Sequence, residues 1–183
     1  MKKVYIGLVA IILILGLSGC GSSGGSDTNP VHVSSEIDGT WDGYDNGSQF
    51  GIINVSSQNF ILTKVVSELR NNIYGNYTMD GIKIVQPNNK IVKKVISRYT
   101  KYEVTPLTQN IVNQLNANNG CGSANWALNL TKNVTGTNCD TITANSIKQI
   151  YLIEGNRVIW GDKNNIGADT YPDSLDYALY WEK

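Results

Sequence analysis

The sequence predicts a mainly β domain, a small antiparallel β-barrel or sandwich of about eight to ten strands with one helix, at about residues 106–118, packed on it. Three observations carry that reading. Short runs rich in Val, Ile, Tyr and Trp recur from residue 39 to the end, with Gly, Asn, Asp and Ser between them. Ile150-Tyr151-Leu152-Ile153 and Arg157-Val158-Ile159-Trp160 flank Gly155-Asn156, the pattern of a two-residue hairpin. Only one stretch repeats its apolar residues at helical spacing, with Leu107, Ile111 and Leu115 four apart.

In chain order the strands are expected at 39–44, 49–56, 59–66, 72–79, 81–86, 91–104, 126–132, 146–154, 157–161 and 176–182. Asp80-Gly81 between Tyr74–Met79 and Ile82–Val85 reads as a second tight turn. Thr105 is placed to cap the helix and Pro106 to occupy its first position, and the helix stops by Gly120. The last strand alternates, with Leu175, Tyr177, Leu179 and Trp181 on one face and Asp176, Ala178, Tyr180 and Glu182 on the other, so it is expected to be half buried.

Ahead of this domain lies a different kind of sequence. Met1-Lys2-Lys3 precedes Val4 to Leu17, fourteen residues that are apolar apart from Tyr5 and two glycines, a secretory signal pattern. The run is shorter than the roughly 20 apolar residues a spanning helix needs, and no basic stop-transfer flank follows it. It ends in Leu17-Ser18-Gly19-Cys20, which resembles the lipobox of bacterial lipoproteins at all four positions. That resemblance implies diacylglycerol on the Cys20 sulfur, cleavage before Cys20, and a third acyl chain on the new amine. One chain of myristoyl size binds membranes only marginally, so two or three would hold the protein durably. The family rule that an Asp after the cysteine retains a lipoprotein in the inner membrane is not met by Gly21. An outer-membrane location is therefore implied where the cell has two membranes.

The expected organisation is a signal peptide at 1–19, a lipidated cysteine and flexible linker at 20–36, and a single β domain at 37–183. Gly21 to Ser35 is linker in composition, with a root-mean-square reach of about 20 Å. Loss of Lys2 and Lys3 with the signal would leave 13 basic against 15 acidic residues. So nearly neutral a domain offers no electrostatic reason to bind nucleic acid or an anionic surface. The chain contains 22 asparagines, a residue suited to turns and left-handed backbone. Its Asn-x-Ser/Thr triplets, such as Asn54-Val55-Ser56 and Asn76-Tyr77-Thr78, mark polar surface.

With Cys20 acylated, Cys121 and Cys139 remain as an even pair in an oxidising compartment and are expected to form a disulfide. Closing a loop of about 19 residues is worth on the order of 3 kcal/mol in the chain-entropy model. Metal binding by the pair is disfavoured, because neither cysteine has a close second cysteine or a nearby histidine.

Gly39-Thr40-Trp41, where the folded part begins, is similar to the Gly-x-Trp of lipocalins and lipocalin-like bacterial domains. The resemblance implies a barrel whose end is closed by the tryptophan and whose cup holds a small apolar ligand. The chain departs from that family in placing its helix mid-chain rather than near the C-terminus. A small barrel can also be filled by its own side chains.

Sites for chemistry are few. The sole histidine, His32, falls in the linker, which leaves no Ser-His-Asp or Cys-His arrangement and no His-based zinc site for the domain. Gly21 to Gly25 introduces no strand–helix phosphate loop. Asp38, Asp42 and Asp45 cluster at the first strand and could be considered as a glycosidase pair. Asp162, Asn164, Gly167 and Asp173 fall at positions one, three, six and twelve of a calcium-loop spacing, but Ile166 occupies a ligand position and the final acid is not Glu. No catalytic residue, metal site or cofactor is assigned. The aromatic residues of the strands, including Trp41, Trp126, Trp160 and Trp181, are either core or, if one row is exposed, a binding face.

Two functions are expected from this. One is a non-catalytic, membrane-anchored binding module, lipocalin-like, for a small apolar ligand or an envelope component. The other is an accessory or structural lipoprotein acting through protein contacts in an envelope or surface assembly. An apolar cavity of a few hundred Å³ favours the first; a filled barrel with an exposed apolar patch favours the second.

Overall fold

β1 (Gly39–Asp45), β2 (Ser48–Ser56), β3 (Asn59–Val66), β4 (Leu69–Val85) and β5 (Lys90–Pro106) follow one another through tight turns. Helix α1 (Gln109–Ala117), the two-residue β6 (Lys132–Asn133), then β7 (Ser146–Glu154), β8 (Arg157–Gly161) and β9 (Leu175–Glu182) complete the chain. These elements come from a computed structural model that describes residues 36–140, 146–162 and 170–183. The expected signal peptide, Cys20, the linker to Ser35 and His32 lie outside the described residues.

Each strand pairs antiparallel with its neighbour in the order β4-β3-β2-β1-β9-β8-β7-β5, and the additional β4–β5 pairing joins the two ends. The result is a closed eight-stranded barrel, so no barrel strand is left as a free edge along its whole length. β6 is an appendage on β5, where Glu103 and Val104 face Asn133 and Lys132.

Period-two alternation sends one side chain in two to the lumen. Trp41, Ile53, Val55, Phe60, Leu62, Ile73, Tyr77, Val95, Tyr99, Tyr151, Trp160, Leu179 and Trp181 belong to one buried cluster. Two glycines make room for its rings. A Cβ on Gly75 would stand 2.3 Å from the Phe60 ring, and one on Gly43 would stand 2.5 Å from Trp181. Both glycines adjoin irregularities in strand register, Gly43/Tyr44 and Tyr74/Gly75.

The expected β architecture with a single helix is what the chain forms, and the Gly155-Asn156 hairpin is present as read. Four local expectations are corrected. Asp80-Gly81 is not a turn between two strands: Met79 faces Val95 and Ile82 faces Lys93, so both residues stand opposite Lys94 as a bulge inside one long strand. Gly81 has φ 89°, which suits glycine at that point.

The helix starts at Gln109 with Thr108 as its cap, its hydroxyl accepting from the Ile111 N–H at 3.4 Å. Pro106 ends β5 instead, opposite Leu69. A residue before proline is pushed toward extended backbone, which keeps Thr105 in the strand.

The expected strand 126–132 is an ordered loop whose pairing survives only at β6. Helix residue Asn116 takes the backbone groups a ladder would use, accepting from the Trp126 N–H at 2.7 Å and donating to the Trp126 carbonyl at 3.0 Å. Asn129, at φ 59°, then turns the chain away from extended backbone.

The last strand keeps Leu179 and Trp181 inside but exposes Tyr177. Its register against β8 shifts between Ile159 and Trp160, which face Tyr180 and Asp176 respectively. Leu175 consequently packs outside the barrel, with Tyr171 and Leu152, against Val85, Val92 and Ile150.

Candidate functional site

The lumen is the first place to look for a ligand. A void large enough for one water molecule would leave accessible surface on the side chains lining it. Trp160 and Tyr151 are 0% exposed, and Tyr77 and Trp181 are 1% exposed, so no such space adjoins them. The rings pack on one another: Phe50 meets Trp181 edge-on at 5.0 Å, Phe60 meets Tyr99 at 5.8 Å, and Tyr151 lies 5.6 Å from Trp160. These separations are those of favourable aromatic pairs. The barrel is filled by its own aromatic side chains around these positions.

One end is shut by the segment that enters β1. Ile37 is fully buried, and its carbonyl accepts from the Trp41 indole at 2.8 Å. The Lys183 ammonium sits 4.4 Å above the Trp41 ring. Trp41 thus helps close the barrel end. Beside it Lys93 forms an ion pair with Glu36. The Tyr151 hydroxyl also donates to Glu36, at 3.4 Å. Burial lowers the Lys93 pKa and raises that of Tyr151, the latter with help from Tyr77.

The other end contains a largely buried lysine. Lys64 points inward from β3 and is buried, with no hydrogen-bond or ion-pair partner among the described residues. Burial holds its pKa below the ordinary lysine value. Here the barrel wall opens: β2 and β3 stop pairing at Ile52 and Thr63, while each continues along its other neighbour. The shallow cleft left between them, about 270 Å³, is lined by Gln49, Phe50 and Lys64 among others. Nearby the Tyr102 hydroxyl donates to Asn71 at 2.6 Å within the core.

The sequence candidates fall as follows. Cys121 and Cys139 form a disulfide, tying the turn after α1 to the loop beyond β6. Asp38 and Asp45 stand at opposite ends of β1, roughly 20 Å apart along extended chain, too far to flank one glycosidic bond. Asp42 accepts from Gln49 at 2.8 Å. Of the calcium-loop spacing, residues 163–169 lie outside the described residues, and Asp173 is ion-paired with Lys83. Among the described residues no group of three or more His, Cys, Asp or Glu is placed to hold a metal.

All four tryptophans are core. Of the aromatic residues left outside, which include Tyr74 and Tyr177, two form a short stack. Tyr44 and Tyr180 lie 5.3 Å apart at 19° on β1 and β9, and the Arg157 guanidinium covers Tyr180 at 4.5 Å. Arg157 is fixed in turn by Glu182 at 3.1 and 3.4 Å.

Sequence reasoning did not find the most exposed apolar group. Ile82, Ile84 and Ile91, exposed by 66%, 61% and 60%, occur on the β4–β5 hairpin. Their alternation is that of any core strand, and nothing local distinguishes them. Lys64 and the Glu36–Lys93 pair were missed for the same reason: each depends on where a strand end meets the barrel mouth.

No family model matches the chain, and no curated protein matches it in sequence.

Proposed function

We propose that this chain is a membrane-anchored envelope lipoprotein, held by lipid on Cys20, whose β-barrel is a non-catalytic module that works through its outer surface. Its partners in this reading are the membrane and other envelope components, with no nucleic acid. In a cell with two membranes the outer one is its place, since Gly21 carries no retention signal. The observation that carries the surface-acting reading is the filled lumen around Tyr77, Tyr151, Trp160 and Trp181. It favours the accessory class of function over a cup for a small apolar ligand, because these fully buried rings would have to move before a ligand could enter. The single histidine in the linker and the separation of the β1 carboxylates support a non-catalytic role.

Native mass spectrometry of protein extracted in mild detergent tests the surface-acting reading. The expected mass is that of the polypeptide from Cys20 with its acyl groups and nothing more; a small apolar molecule retained at one per chain would overturn it. Cys20→Ser tests the anchor separately. It should abolish lipid labelling and processing before residue 20, and unchanged membrane retention would refute the lipid tether.

A further inference from the structure

We propose that the outer half of the β4–β5 hairpin rests in the membrane interface, with Ile82, Ile84 and Ile91 as its lipid contact. The inference builds on the Cys20 anchor and adds the face that meets the bilayer. Ile84 and Ile91 are direct cross-strand partners, and Ile82 faces Lys93. All three share the face of the ribbon that, further along, carries Val95, Ser97 and Tyr99 into the lumen. Beyond the Asp80-Gly81 bulge that face has left the barrel and stands open to solvent. The opposite face of the same hairpin is covered, with Val85 and Val92 packed against Ile150 and Leu175. A ribbon supported on one side and bare, with three isoleucines, on the other is held ready for an apolar surface.

The occupant is indicated by where the chain leads. Glu36, the first described residue, is ion-paired with Lys93 at the foot of this face. Fifteen residues of sequence separate the acylation site from that point. The tether therefore joins the folded domain at this end of the barrel, the end away from the β1–β2 turn. From Lys93 to the last ladder pair, Val85 with Lys90, the hairpin extends by roughly 10 Å, comparable to the 5–10 Å depth at which interfacial apolar faces settle. Charge also indicates how the contact is made. Lys83, Lys90, Lys93 and Lys94 are paired with Asp173, Glu154, Glu36 and Asp80. The contact is apolar and does not call for anionic lipid.

The test places an environment-sensitive fluorophore on Ile84→Cys in the full lipidated protein, where Cys20 is acylated and the other two cysteines are bonded. A second sample carries it on Ser48→Cys, the first residue of β2, opposite the far end of β1. Both are reconstituted in phosphatidylcholine vesicles doped with a shallow spin-labelled lipid. Quenching is expected to be about threefold stronger at residue 84 than at residue 48, and unchanged by high salt or added phosphatidylglycerol. Adding Ile82→Asp to the Ile84→Cys protein should reduce quenching to the residue-48 level while the protein still floats with the vesicles. Equal quenching at both sites in floating protein overturns the hairpin contact and leaves the anchor standing. A requirement for anionic lipid also overturns it. Failure of the protein to float overturns the anchor, and the hairpin contact with it.

Discussion

The two halves of the β4–β5 ribbon share strands, pairing and alternation, yet they bury opposite faces. On the barrel side of Asp80-Gly81, Tyr77, Val95, Ser97 and Tyr99 are buried in the lumen. On the far side the same face presents Ile82, Ile84 and Ile91 to solvent, and the other face is the buried one, with Val85 and Val92. Hydrophobicity does not separate the halves, since the exposed half is the more aliphatic. The separation comes from enclosure. The six other barrel strands surround the first half, whereas the second passes beyond the mouth and is covered only on its outer side, by Ile150 and Leu152 of β7 and by the 171–175 segment. That segment is held by ties to both strands: Tyr171 donates to Asp80, Lys83 pairs with Asp173, and Lys94 stands 4.8 Å over the Tyr171 ring.

The largest effect that tests this division is expected inside the lumen. Trp160→Ala should lower unfolding free energy by about 3–5 kcal/mol, as truncation of a fully enclosed ring does, read by urea denaturation. Removing the disulfide with Cys121→Ser and Cys139→Ser should cost about 3 kcal/mol. Hydrogen exchange would rise first in α1, because Val112, Cys121 and Trp126 belong to one cluster.

Lys64→Met should have the reverse sign, a gain on the order of 1 kcal/mol from replacing a lysine that burial partly desolvates. The native pKa of Lys64 is lowered by burial, so between that value and the ordinary lysine range the unfolded chain binds more protons. Stability attributable to this residue therefore rises with pH across that alkaline window, and the slope should vanish in Lys64→Met. A pH profile identical in both proteins would remove Lys64 as the cause. Smallest is Ile84→Ala on the open face, expected within about 0.5 kcal/mol of the parent. A loss comparable to Trp160→Ala would erase the distinction between the two halves.

Much of the barrel was legible because its cues are local. The Gly155-Asn156 hairpin, the alternation of β2 and β3, and the aromatic pattern of β9's inner residues depend on neighbours in sequence. The misread positions are those where a distant group decides. Asp80-Gly81 has the composition of a hairpin turn, and only continuous pairing with β5 makes it a bulge. Trp126 to Leu130 alternates like a strand, but Asn116, on the helix, occupies the Trp126 amide and carbonyl. Thr105-Pro106 can open a helix or close a strand. Pairing with Arg70 and Leu69 selects the strand.

By itself the sequence determined the β class, the Gly155-Asn156 turn, the cysteine pair and the likeness of Leu17-Ser18-Gly19-Cys20 to a lipobox, since each rests on residue chemistry and short spacing. Tertiary structure alone decided that the lumen is filled, that Lys64 is buried without a partner, and that three isoleucines of ordinary core pattern stand outside. Whether a side chain is enclosed depends on which strands close around it, and the barrel closes by joining β9 to β1 and β7 to β5, pairings no stretch of sequence encodes alone.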